Sequence, residues 1–98
     1  MRVKVNVTKN DIKKGVINDT ENCPIALSFK KLLKSCYRVK IWSDKVKVNG
    51  DFGGLLPKIA QKFVKHFDDN GFADPIVFSF RIPNKYLKPS VGIKELKN

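Results

Sequence analysis

Histidine and cysteine, the nitrogen and sulfur ligands of transition metals, are nearly missing from this chain. His66 is its single histidine, and Cys23 and Cys36 are its only cysteines. A site with two histidine ligands is excluded, and Cys23, Cys36 and His66 do not show zinc-finger spacing, so neither a metal centre nor a cofactor is expected. The two cysteines stand at opposite ends of a stretch that reads as one helix. At the helical rise they lie roughly 20 Å apart, far beyond disulfide reach, so both are expected to be free thiols, in keeping with a reducing compartment.

Long apolar runs are missing too. None approaches the roughly 18 residues of a membrane span, and the opening RVKVNV is not a signal pattern, which predicts a soluble protein of the cytoplasm. No GKS, GKT or G-x-G-x-x-G follows a strand, so the glycine-rich NGDFGG is not a phosphate loop of either common kind. It reads as a plain connection, or less simply as a cradle for an anion. No acid, base, nucleophile and oxyanion group converge, and the chain is read as a non-enzyme. Cys23 at a helix start has the placement of an activated nucleophile, but a small thiol packed in the first turn is the commoner meaning. Asp68 and Asp69 are adjacent on a helix, diverge, and read as solvated polar residues.

Acid is the third scarcity. Nine Asp and Glu stand against 20 Lys and Arg in 98 residues, a formal charge of +11. The length allows one domain with a modest core and no deep cleft between lobes. The charge speaks of partners, and the partner is expected to be anionic.

What is present is pattern. RVKVNV alternates Val3, Val5 and Val7 with polar residues, a half-buried strand. Thr8 and Asp11 in TKNDIKKG suit a capped helical turn that Gly15 ends. From Cys23 the period becomes helical, with Asn22 as N-cap, Pro24 in the first turn, and Ile25, Ala26, Phe29, Leu32, Leu33 and Cys36 on one face. YRVKIW and KVKV read as a hairpin, Leu56 to Phe67 as a second helical stripe before Gly71, and PIVFSFRI as a last strand. The order predicts an α+β domain of the ferredoxin-like, split βαβ type (β-α-β-β-α-β), with one antiparallel-dominated sheet carrying two helices on one face. Residues 1–83 form that domain. Residues 84–98 read as a loose tail or an arm docking on a neighbouring subunit.

The helix-free face of that sheet would carry Arg2, Lys4, Asn6, Lys40, Trp42, Lys45, Lys47, Ser79 and Arg81. Lys4, Arg38, Lys40, Trp42, Lys45, Lys47 and Arg81 are the candidate ligand residues, because an indole among lysines offers a stacking surface for a base while ammonium groups meet phosphate. The competing reading is that Trp42 covers the sheet edge, packs on lysine stems or enters an oligomer interface. KVKVNGDF lacks the paired aromatics of an RNA-recognition module, which sets that module aside. The loop NDTEN before the helix start is a candidate anion lip.

At NCPIALSFKKLL the chain resembles a group of small, largely uncharacterised phage-encoded proteins, in which a polar loop leads into Cys-Pro-Ile-Ala and a helix. The resemblance continues through LPKIAQKFVKHFDD, ends with PIVFSF, and covers roughly residues 3 to 80. Its motif positions, Cys23, Pro24, Leu56, Pro57, Phe67, Asp68, Pro75, Phe78 and Phe80, look structural and carry no activity across. What the resemblance implies is a setting, the cytoplasm of a host cell, and a role in countering host defence. Two functions follow as expectations: a homo-oligomeric sponge that sequesters a small nucleotide-derived immune signal, with Trp42 or Phe72 on the base, or a binder of extended nucleic acid or of the nucleic-acid channel of a defence effector.

Overall fold

The computed structural model describes residues 2–49 and 52–89. Alternation decides the first strand, β1 (Arg2–Val7), in which Val3, Val5 and Val7 are buried while Arg2, Lys4 and Asn6 are exposed. Helix α1 (Lys9–Lys14) follows behind a complete capping box: the Asp11 amide donates to the Thr8 hydroxyl at 3.2 Å and the Thr8 amide to the Asp11 carboxylate at 3.0 Å. Both groups would otherwise be orphaned at the helix start. Lys31 closes on the same buried carboxylate at 2.7 Å and ties α1 to the next helix.

Helix α2 (Pro24–Leu32) starts one residue later than the expected Asn22 cap, with Cys23 as the N-cap and Pro24 in the first turn. Asn22 instead donates its side-chain amide to Asp19. The helix also stops short of Cys36. Leu33 is extended and bridges Leu87, the Lys34 amide donates to the Tyr86 carbonyl at 2.9 Å, and the Lys88 amide donates to the Leu32 carbonyl at 2.9 Å. Pairing with a distant segment thus takes the amides and carbonyls that a longer helix would have used. Residues 84–88, which include a 3₁₀ turn (Asn84–Tyr86), pack on their own chain, with Tyr86 and Leu87 buried. Residues 90–98, the remainder of the expected tail, lie outside the described residues.

Strands β2 (Val39–Ile41) and β3 (Lys45–Val48) form the expected hairpin, and Trp42 closes its turn by donating to the Lys45 carbonyl at 2.8 Å. A further strand, β4 (Phe52–Leu55), pairs with β3, so part of the glycine-rich stretch is sheet rather than a connection. Periodicity does not show it because Gly53 and Gly54 have no side chains to alternate. Helix α3 (Lys58–Asn70) buries Ala60, Phe63, Val64 and Phe67, and Gly71 at φ 78° caps it by donating to the Phe67 carbonyl at 2.7 Å. Glycine meets no Cβ penalty in that left-handed conformation. Strand β5 (Ile76–Arg81) completes the order.

The molecule is thus a small α+β protein with antiparallel sheets, and the strands fall into two of them. β1 pairs with β5 in one, and the other runs β2-β3-β4. The edge of β3 that β1 would occupy in a single split βαβ sheet is taken by β4. Both sheets feed one core, which α2 enters through Phe29: its ring is edge-on to Phe80 at 5.3 Å and tilted to Phe78 at 6.2 Å. Among the described residues no helix is long and apolar enough to cross a membrane.

The two glycines of β4 differ sharply. A Cβ on Gly53 would sit 2.8 Å from the Val46 carbonyl oxygen, a backbone atom with no freedom to yield, whereas one on Gly54 meets only the Phe80 ring at 3.5 Å. Gly53→Ala is therefore expected to lower stability by about 1–3 kcal/mol, with Gly54→Ala close to neutral. Urea denaturation of the two variants checks this, and equal midpoints would refute the β3–β4 pairing.

Candidate functional site

The hairpin register decides which side chains share its solvent face. Lys40 stands directly opposite Lys47, and both are exposed between the buried pairs Val39–Val48 and Ile41–Val46. One rung further out, Trp42 faces Lys45 across the turn. At the other end the Asn49 amide donates to the Arg38 carbonyl at 3.1 Å, and the Arg38 amide donates to the Asn49 side-chain oxygen, which carries the ladder one rung past the strands. Arg38, Lys40, Trp42, Lys45 and Lys47 are thus brought together on one three-rung surface.

Trp42 retains 39% of its surface exposed. Two depressions on the hairpin face border it: Arg38, Lys40, Lys47 and Asn49 line one, and Asp44, Lys45, Lys47, Gly53 and Gly54 line the other, while a smaller one beside the hairpin turn sets Trp42 beside Asp19 and Asp68. The bare glycine backbone of β4 makes the floor of the second, because no side chain there fills the space beside the lysines. A further depression joins Gly53, Gly54 and Leu55 of β4 to Arg2, Ser79 and Arg81 of the other sheet. Arg81 therefore adjoins the hairpin surface through the glycines. Arg2 stands directly opposite Arg81 and Lys4 opposite Ser79. Lys4 borders none of these depressions, so of the seven candidate residues it is the one set apart.

Among the described residues no strand contains an aspartate or glutamate. The two facing pairs, Lys40–Lys47 and Arg2–Arg81, place like charges directly opposite each other, an arrangement that costs stability. Register alone brings these residues together. The alternation visible in the sequence shows the shared face, but which lysine faces which depends on the hairpin turn.

Other candidate groups are occupied. In the NDTEN loop the Glu21 and Asn22 amides donate to the Asp19 carboxylate at 2.9 and 3.0 Å. The Asn22 side chain, followed by these amides, holds that carboxyl below its ordinary range. These two amides of the loop are thus turned on its own acid. Cys23 is buried, and burial pushes its thiol up, so little thiolate forms at neutral pH. Both cysteines are free, Cys36 being exposed. Asp68 accepts from the Asn18 amide at 3.0 Å and so holds the α1–α2 loop. Phe72 stands edge-on to His66 at 5.7 Å and lines none of the depressions around Trp42. Among the described residues no group of His, Cys, Asp and Glu is arranged to hold a metal ion.

No protein-family model matches the chain, and no curated protein or solved structure does.

Proposed function

We propose that the chain is a non-catalytic binding protein that holds the phosphates of a nucleotide-derived ligand on the hairpin face and a base against Trp42. The observation that carries this reading is the exposed Lys40–Lys47 pair beside an exposed indole, with no carboxylate on the strands among the described residues and with Asp44 in the hairpin turn. An anion seated between two facing ammonium groups relieves their repulsion, and the indole adds about 1–3 kcal/mol for a stacked base. In its first form the protein is a homo-oligomeric sponge for a small nucleotide signal of host defence, in the cytoplasm of a phage-infected cell. That setting rests on the resemblance read from the sequence alone, and a subunit interface would enclose a pocket that the open hairpin face alone does not.

A second form has its own support. Two depressions that border Trp42 each hold cations, Arg38 and Lys40 in one, Lys45 beside Asp44 in the other and Lys47 in both, which suits a strand carrying a phosphate before and after its stacked base, whereas a mononucleotide needs one of them only. In that form the ligand is single-stranded nucleic acid, or the protein occupies the nucleic-acid channel of an effector.

The experiment incubates purified protein with a cellular nucleotide extract and with oligonucleotides, then identifies what remains bound after washing. A small nucleotide retained at high salt by an oligomer is the sponge outcome. Oligonucleotides whose affinity falls about 300-fold or more between 50 and 200 mM salt give the nucleic-acid outcome, since each of six or more single-strand phosphate contacts adds about 0.7 to the salt slope. Retention of neither refutes the reading. The split βαβ order belongs to the same proposal: β1–β5 and β2–β3 are two of its ladders, and β4 is read as an insertion that opened the third.

A further inference from the structure

A groove of about 480 Å³ lies around the corner from Trp42, between the end of α2, the start of β2 and the segment at Lys88. Lys30, Lys34, Arg38 and Lys88 border it with Tyr37, and Glu21 is the acid on its rim. Its walls are built rather than incidental. The Leu33–Leu87 bridge and the bonds from Lys34 to Tyr86 and from Lys88 to Leu32 hold its two sides together, and the Tyr37 ring is edge-on to Tyr86 at 4.6 Å. Among the described residues Lys30, Lys34 and Lys88 make no ion pair, and Glu21 takes only Arg38, at 3.2 Å. Arg38 borders this groove and the depression beside Trp42 alike.

We infer that the groove is a second phosphate site, joined to the hairpin face through Arg38, and that the ligand is a single-stranded oligonucleotide whose backbone runs from Trp42 around Arg38 into it. This rests on the nucleic-acid form of the proposed function and names the ligand's class. A mononucleotide fills one site and leaves the other empty. A chain of several phosphodiesters bridges both, and each site raises the effective concentration of the strand at the other. Glu21 neutralises Arg38 until phosphate competes for the guanidinium, which holds carboxylate and phosphate with the same fork of donors.

The test compares oligothymidylates of two, four, eight and twelve nucleotides against the intact protein, K30E/K34E, K40E/K47E and a charge-matched control, K9E/K13E, whose lysines are exposed on α1. K30E/K34E is expected to bind the dinucleotide as the control does. It should bind the twelve-nucleotide strand at least about tenfold more weakly than the control and lose about 1.4 from its salt slope, the share of two single-strand phosphate contacts. Equal behaviour of K30E/K34E and the control at every length overturns the groove, as does an equal extra loss at all lengths. Unchanged binding by K40E/K47E overturns the hairpin reading instead and leaves the groove result to stand. If the intact protein binds no strand, the nucleic-acid form of the proposed function fails, and the groove is judged by titrating tripolyphosphate against the amide resonances of Lys34, Tyr37 and Lys88. Saturable shifts there retain the site, and their absence removes it.

Discussion

Lys47→Glu is expected to strengthen the fold and weaken ligand binding at once. The substitution turns the facing Lys40–Lys47 repulsion into an attraction. On an exposed cross-strand pair that is worth about 0.2–1 kcal/mol of stability. The same change removes a cation bordering both depressions beside Trp42 and sets a negative charge against the incoming phosphate. Extending it to K40E/K45E/K47E should lower affinity by at least about 100-fold, or about 2.7 kcal/mol, while the fold is retained, because exposed substitutions seldom shift stability much. Urea midpoints and binding isotherms on the same preparations read the two effects separately. Stability and affinity falling together would mean that the lysines support the fold and not a ligand.

Phe29→Ala carries the largest expected cost in stability. Phe29 is fully buried, and its ring meets Phe78 and Phe80 on the strand that pairs with β1. It is the side chain through which α2 grips that sheet. Truncating such a ring leaves a cavity and costs about 3–5 kcal/mol, a large part of what a domain of this size possesses. Phe29→Leu, which keeps most of the volume, should lose much less. The urea midpoints of both variants test this, and an alanine variant within about 1 kcal/mol of the intact protein would show that α2 is held elsewhere. Since Phe29 is fully buried and borders neither depression of the hairpin face, the leucine variant should keep its affinity.

Residues with strong local signals were legible in the sequence. The Val3, Val5, Val7 alternation, the Thr8–Asp11 capping box, Gly71 and the Leu56 to Phe67 stripe stand where their spacing placed them, except that Ile59 of the stripe is exposed. What was not legible depends on partners far along the chain. The apolar pattern from Ile25 runs on to Cys36, but backbone pairing with Tyr86 and Lys88 ends the helix at Leu32. β4 carries no alternation through Gly53 and Gly54, so neither the third strand nor the division into two sheets could be read locally. For the candidate site, alternation supplied the residues and register supplied the pairs. The groove at Lys30, Lys34 and Lys88 gave no signal, because Lys88 reaches it only through the docking of residues 84–88.

Trp42 is the chain's single tryptophan, so its fluorescence reports from the centre of the hairpin face without a label. Titration with a twelve-nucleotide oligothymidylate at 50 and 200 mM salt, followed by Trp42 emission and in parallel by the anisotropy of an end-labelled strand, tests the central claim most directly. Saturable quenching with the same midpoint as the anisotropy, lost in K40E/K45E/K47E, is the predicted result. Binding seen by anisotropy while Trp42 emission stays unchanged would contradict it, since the strand would then be held away from the indole.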